Sequence, residues 1–415
     1  MRTVHNFLAL CVIGVMAMSL ATSCGNSLDV GDNSFEPIVL TQEQGAMVES
    51  GNRFAFSLQE QVEMKEAGNY IISPLSLQFI LGMLVNGADP DVAEEILSVM
   101  GFETTDEAAV NEFCRRLIRE LPQLDKLTSV TTARSILVSQ DITLKTTYTE
   151  KVRSNYLALA ESVDFSKSAE VRKKVNNWCS QNTNGMIQEM VTEEDDLRGL
   201  SAILLDATWF RGIWTVKFAK NNTEKGDFIR EDGTKTTAKY MKKESQYPFL
   251  VSESFSAVKL PYGNEAYSMI VVLPNNGWRV KDMLAILKQK EIKSLKFDAD
   301  HNVDLWLPMF DISSTVDYKD YLVKLGMEKA FPGSYSRMFE NDSPELSLVR
   351  QKSAIHIDET GTEAASVTEA QFRYSSPGTP VQPVVETFHA DHPFLFMITE
   401  KSTGAILFSG AYKGI

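Results

Sequence analysis

Glu359-Thr360-Gly361-Thr362-Glu363-Ala364-Ala365-Ser366-Val367-Thr368 is the stretch on which the reading of this chain turns. It is built from small residues, yet it alternates. Thr362, Ala364, Ser366, Thr368, Ala370 and Phe372 share one parity; Glu363, Ala365, Val367, Glu369, Gln371 and Arg373 share the other. Successive strand side chains point to opposite faces, so an extended form has one small or apolar face and one largely polar face. Such a segment suits a strand that slips between two others in a sheet already built. Tyr374-Ser375-Ser376-Pro377-Gly378-Thr379-Pro380 follows and reads as an exposed loop. A strand-competent segment joined to an exposed loop implies two states for the same residues.

Outward from this stretch the chain is ordinary globular material, with 415 residues, 43% hydrophobic and 23% charged. The net charge of −14 disfavours nucleic acid and anionic membrane surfaces as partners. The compact basic run Arg172-Lys173-Lys174 reads as a solvated helix face. At the N-terminus, Arg2 precedes an apolar run from Phe7 to Leu20 that is too short for a comfortable membrane span. Leu20-Ala21-Thr22-Ser23-Cys24 resembles a bacterial lipoprotein processing site, although Leu20 lies one residue further from the cysteine than is usual. The expectation is a signal peptide at 1–23, lipid attachment at Cys24 and a polar tether over 24–46, with ordinary secretion as the alternative. The protein would be an exported bacterial lipoprotein at the outer membrane, the cell surface or the periplasmic face.

Only Cys114 and Cys179 remain for the fold, which is no disulfide framework; two buried thiols are favoured over one bridge. Five histidines without His-x-x-x-His, and no Cys-x-x-Cys, predict neither metal nor cofactor.

Phe54, Leu58 and Val62 recur every four residues and predict an amphipathic helix from Thr41 to about Glu66. Tyr70-Ile71-Ile72 reads as a short strand. Ser73-Pro74 then opens a helix, with Ser as N-cap and Pro at its first position. Asp89-Pro90 opens another, and Val171–Gln181 is helical. Strands dominate after residue 200: Ala202–Phe210, the pair Val258–Pro261 and Tyr267–Leu273 around Gly263-Asn264, Val303–Leu307, and a last hairpin from Pro393–Ile398 to Ala405–Ser409. Asp317–Leu325 returns to helix. Helices first and mostly antiparallel strands later place the fold in the α+β class.

The opening stretch resembles the reactive-loop hinge of the serpins, the serine protease inhibitor family, which reads roughly Glu-Glu-Gly-Thr-Glu-Ala-Ala-Ala-Ala-Thr. Here Thr360 replaces the second Glu and Ser366-Val367 replace two alanines. Asn69 to Ser76, Trp178 with Thr183-Asn184-Gly185, Phe210 to Trp214, Leu260-Pro261-Tyr262, Leu325-Gly326-Met327 and Ala390 to Phe396 are similar to further family motifs. The resemblance covers residues 47–415, read as one domain with a reactive-centre loop at about 359–387.

That resemblance implies helices packed on a large, mostly antiparallel sheet with smaller sheets and an exposed loop. It implies suicide inhibition of serine proteases, with cysteine proteases as a second class, by a monomer that forms covalent complexes. Family spacing counted from Gly361 lands on Ser375, with Ser376 after it; this loop is longer than in shorter members, so Tyr374 and Arg373 stay open as the attacked position. Glu359 to Thr368 would be the hinge: Gly361 absorbs the backbone change, Thr362 enters first, and Glu363, Ala364, Ala365, Ser366 and Val367 follow. Pro377, Pro380 and Pro383 should resist joining a sheet and mark where insertion stops. The family usually carries Asn-Ala and His-Lys-Ala where this chain has Asp206-Ala207 and Gln351-Lys352-Ser353. Asp206 with Gln351, near Ser73 and Ser76, is expected to replace the pair that closes the sheet centrally and to set its opening barrier.

An enzyme is not expected. No Gly-x-Ser-x-Gly and no Gly-x-Gly-x-x-Gly occurs. His389 and His392 read as structural, and Glu193-Glu194-Asp195-Asp196 as a solvated loop or helix start. A non-inhibitory serpin acting as a binding or storage protein is the alternative.

Overall fold

The computed structural model describes residues 32–104, 106–340, 345–361 and 384–414. Helix α1 (Gln42–Glu63) starts in a capping box. The Gln44 amide donates to Thr41 Oγ1 and the Thr41 amide donates to Gln44 Oε1, both at 3.2 Å. Strand β1 (Tyr70–Ile72), helices α2 (Pro74–Gly87), α3 (Pro90–Met100) and α4 (Glu107–Glu120), strand β2 (Thr128–Ser139), helix α5 (Thr146–Tyr156), strand β3 (Leu159–Val163) and helix α6 (Ser168–Asn182) follow. The second half holds β4 (Ala202–Gly212), β5 (Thr223–Ile229), β6 (Lys235–Val251), β7 (Phe255–Tyr262), β8 (Tyr267–Pro274), α7 (Val280–Leu287), β9 (Asp298–Pro308) and β10 (Phe310–Asp317). It ends with α8 (Lys319–Lys324), β11 (Leu348–Ile357), β12 (Val385–His389), β13 (Phe394–Glu400) and β14 (Ile406–Tyr412).

Two sheets result. One runs β1-β14-β13-β8-β7-β6-β9-β12 with β5 on β6, and is antiparallel except where β12 joins β9. The other runs β10-β11-β4-β2-β3 and is mixed: β4/β11 and β2/β3 are parallel. The larger sheet by strand count is therefore not the one that bears the hinge. The 17-residue strand β6 makes it large, pairing β7 through Phe249–Val251 at one end and β5 and β9 along the rest.

All of α2 is buried. Phe210 on β4 crosses the core to the rings of Tyr262 (5.0 Å) and Phe408 (6.1 Å), so the two sheets share one interior. On the other face of the five-stranded sheet, α6 and the chain after it cover Ile203, Leu205, Ala207 and Ala354 with Val171, Val175, Cys179, Ile187 and Val191. Strand β4 is thus covered on both faces, which is why its sequence reads as a continuous apolar run.

Two local expectations change. Ser73 sits at the N-cap of α2, but its hydroxyl donates to the carbonyl of Leu407 (2.7 Å) instead of accepting from the helix. The helix expected from Asp317 begins at Lys319, because Asp317 still pairs with Arg350 in the sheet. Cys114 and Cys179 are buried free thiols, and burial pushes each to about 12.

Candidate functional site: the parallel seam between β4 and β11

The β4/β11 seam runs in register from Leu348↔Ile203 to Ala354↔Trp209, with Gln351 opposite Asp206 and Ser353 opposite Thr208. Both strands point upward, toward their C-terminal ends. Parallel neighbours cannot be joined by a short turn, and here β4 and β11 come from distant parts of the chain. The segment that leaves the top of β11 is the one with the alternating pattern.

At the top, Asp358-Glu359-Thr360-Gly361 is docked against the residues after β4. The Trp214 amide donates to Thr360 O (2.9 Å) and the Phe218 amide to Glu359 O (3.0 Å). Trp214 Nε1 donates to Asp358 O (2.9 Å), and the Thr223 hydroxyl donates to Glu359 Oε1 (2.7 Å). Trp214 is fixed in turn by stacking on Tyr262, ring centroids 4.3 Å apart. Gly361 has φ +140°, and a Cβ there would lie 2.1 Å from Gly212 O. Only glycine fits that approach. Thr362, Glu363, Ala364, Ala365, Ser366, Val367, Thr368, the bond between Arg373 and Ser376, and Cys24 all lie outside the described residues.

Ser73, Ser76, Asp206 and Gln351 meet at the middle of the seam. Gln351 Nε2 donates to Asp206 Oδ2 (2.6 Å) and to Ser73 O (2.9 Å). Gln351 Oε1 accepts from the Ser73 amide (2.8 Å), the Tyr318 hydroxyl (2.8 Å) and the Ser353 hydroxyl (3.2 Å). Ser76 Oγ donates to Asp206 Oδ1 (2.7 Å). Two residues up each strand, the hydroxyls of Thr208 and Ser353 lie 2.8 Å apart across the seam. Asp206 is 1% exposed. Burial pushes its carboxyl up to about 6, against the pull of the Arg134 charge and of the hydrogen bonds from Ser76 and Gln351. Arg134, opposite Asp206 on β2, is itself buried.

Arg350 sits at the lower end of the seam, where sequence reasoning placed nothing. Its guanidinium donates to Asp317 (2.5 and 2.9 Å), lies 2.8 Å from Asp195 Oδ1 and reaches Met190 O at 3.4 Å. Asp195 belongs to the acidic run expected to be solvated; the structure instead ties it to β11, while Asp196 pairs with Arg198 at the surface. Burial favours the neutral forms of both partners, but hydrogen bonds outweigh it: from Arg350 and Thr192 at Asp195, and to Asp317 and Asp195 at Arg350. Asp195 is held below the usual carboxylate range and Arg350 above its own. The covering chain after α6 is therefore pinned over the seam. An arginine directly after Leu348-Val349 was the sequence signal for it.

The remaining candidates are structural. His389 Nε2 lies 2.7 Å from Asp304 and its ring stacks on Trp306 (3.9 Å); His392 bridges Asp391 and Pro274 O, both at 2.8 Å. Among the described residues, no group of three or more His, Cys, Asp or Glu side chains could hold a metal ion.

The site is a parallel seam between β4 and β11 with Asp358–Gly361 docked at its top. The profile of the Serpin (serine protease inhibitor) family matches residues 49–413. Serpin B3 of Homo sapiens is 30% identical over 390 residues, covering 89% of this chain and 99% of that protein. The Arabidopsis serpin AtSerpin1, solved in its native stressed conformation, superposes with a TM-score of 0.80 at 25% identity over 90% of this chain and 98% of that one. Human thyroxine-binding globulin, solved as a complex, shares the fold with a TM-score of 0.78 at 24% identity, covering 89% and 98%. The chain belongs to the serpin family. Its class is that of protease inhibitors, not of enzymes, and its partners by class are proteases.

Proposed function

We propose that this protein inhibits serine-type endopeptidases as a suicide substrate. The protease nucleophile attacks a bond between Arg373 and Ser376, with Ser375–Ser376 the first candidate. The downstream chain leaves with the new amine, and the upstream chain stays acylated to the enzyme. Thr362 and its successors then enter the β4/β11 seam and carry the acyl-linked protease away before water completes the hydrolysis. Cysteine proteases form a second target class by the same chemistry.

The observation that carries this reading is the seam itself. A segment that leaves the top of β11 at Gly361 and turns down between β11 and β4 runs antiparallel to both. One parallel pairing becomes two antiparallel ones, each adding main-chain hydrogen bonds and buried area. Strand β4 has 11 residues, roughly 36 Å of seam. Thr362 to Ser375, extended, spans roughly 46 Å, enough to reach its far end. The uninserted form is then held kinetically, by the barrier to opening the seam. Glu359 and Gly361 act as the anchored base of the hinge, and Ser73, Ser76, Asp206 and Gln351 as its central lock.

The test is a panel of serine and cysteine proteases scored for detergent-stable covalent complexes, with mass spectrometry of the released C-terminal peptide to fix the attacked bond. Cleavage by every protease without any complex refutes inhibition. The thyroxine-binding globulin fold supports a second reading, a non-inhibitory binding protein, which that outcome would favour. We further propose a monomer exported as a lipoprotein and anchored by lipid at Cys24. Cys24→Ser should release it into the soluble fraction; retention at the membrane would refute the anchor.

A further inference from the structure

We propose that Asp206 is a pH-sensitive latch on the seam: its neutral form holds β4 against β11, and its ionisation weakens that hold, so the sheet opens more readily as the carboxyl loses its proton. The idea deepens the inhibitory reading and rests on it, since it concerns how readily the reactive segment gains entry.

The geometry supplies the device. Asp206 lies where β4, β11 and α2 converge, bonded to Gln351 and Ser76 and cut off from water. The charged and titratable groups around it come from several elements. Arg134 faces it from β2, but the guanidinium is directed elsewhere: Nε donates to Tyr156 O (3.0 Å), the two terminal nitrogens donate to Thr132 Oγ1 (3.0 Å) and Thr132 O (3.3 Å), and the group sits 5.2 Å over the Phe79 ring. Tyr318, between β10 and α8, approaches through Gln351. Cys179 of α6 approaches through the sheet; Cys114 of α4 and Tyr156 of α5 lie on the far side of Arg134. Burial drives Cys179, Tyr318, Cys114 and Tyr156 upward, so all stay neutral through the range in question. Two cations lie near: Lys352 of β11, which acts on Cys179, and Arg134, whose charge pulls on Asp206 and offsets burial only in part.

Protonation keeps the bond between Asp206 and Ser76 but reverses it: the neutral acid donates its O–H to Ser76 Oγ, and its other oxygen still accepts from Gln351. What the proton removes is the penalty of a desolvated charge. When the seam parts, water reaches the carboxyl and its proton affinity returns to the ordinary value near 4. The folded, closed value of about 6 lies above that. The closed sheet therefore gains stability as pH falls through about 6 and carries the penalty above it. Between about pH 7.5 and about pH 5 the opening equilibrium should fall by about tenfold.

The test uses the full chain without protease. Opening is read from hydrogen exchange of the amides in 202–212 and 348–357, corrected for intrinsic exchange, and from conversion to the inserted latent form on a native gel. Wild type should open about tenfold less at about pH 5 than at about pH 7.5. Asp206→Asn keeps the shape without the charge; it should open about a hundredfold less than wild type at about pH 7.5, about tenfold less at about pH 5, and show no dependence over this range. Equal opening of wild type at the two pH values, a faster acid rate, or a dependence that survives in Asp206→Asn would each overturn the latch. If the Asn variant fails to fold, Arg134→Met decides: loss of the Arg134 charge must move the midpoint of the dependence upward, and an unmoved midpoint overturns the latch. Covalent complexes scored in parallel separate the two ideas. Complexes with pH-independent opening sink the latch alone, whereas their absence from every protease sinks the inhibitory reading.

Discussion

Gln351→Ala is the most demanding probe of the seam. The side chain serves five partners at once: Asp206, the amide and carbonyl of Ser73, the Tyr318 hydroxyl and the Ser353 hydroxyl. Truncation removes the donor to a buried carboxylate and leaves the Ser73 amide and Tyr318 hydroxyl without an acceptor. A buried polar group left unpaired costs about 1–3 kcal/mol, more when the lost bond was to a charge. Water entering the vacated space would recover part of that, so a net destabilisation of the closed seam of about 3–5 kcal/mol is expected. In the opened sheet the same groups meet water or an incoming strand, so the penalty falls on the closed state alone. If half of it is relieved at the barrier, conversion accelerates by roughly 10–60-fold, at tenfold per 1.4 kcal/mol. The assay is incubation at constant temperature, with loss of covalent-complex formation and the gel shift to the latent form followed over time. A conversion rate equal to that of wild type would refute the reasoning, because the five-way lock would then contribute nothing to the barrier.

Thr362→Arg should turn an inhibitor into a plain substrate, since an unpaired guanidinium entering the seam first costs several kcal/mol; undiminished complex formation would refute the insertion route. Asp195→Asn should loosen the chain that pins α6 over the seam, lowering stability by about 1–3 kcal/mol and speeding conversion; equal unfolding midpoints in urea would exclude the clamp. The Asp195 carboxyl is held below its ordinary value. Its contribution is therefore present above about pH 4 and lost as pH falls below that. This is opposite in sign to Asp206, so the two sites are separable in one pH series.

Element types were legible from sequence wherever one periodicity ruled. The four-residue repeat of Phe54, Leu58 and Val62 became α1, and the apolar runs around Gly263-Asn264 became the β7/β8 hairpin. Ends were less legible where tertiary partners compete for a residue. Ser73 reads as a helix cap, but its hydroxyl goes to Leu407 O because β14 packs against that corner. Asp195 reads as one of four solvated acids, and nothing local separates it from its neighbours. Only the fold brings Arg350 within 2.8 Å.

The alternation of small residues from Glu359 was legible in the sequence alone, and the family resemblance led to the expectation that Asp206 and Gln351 form a pair. Gly361 was expected as the flexing point; its positive φ and close approach to Gly212 O came from the structure. The tertiary structure decided that β4 and β11 are parallel neighbours, that their seam lies in the five-stranded sheet, and that Asp206, Gln351, Ser76 and the Ser73 backbone, from three distant parts of the chain, meet across it. Strand order and direction depend on which buried faces meet, a property of the whole packed chain that no local pattern carries. The same packing removes water from Asp206, and so pushes an ordinary carboxyl up to about 6.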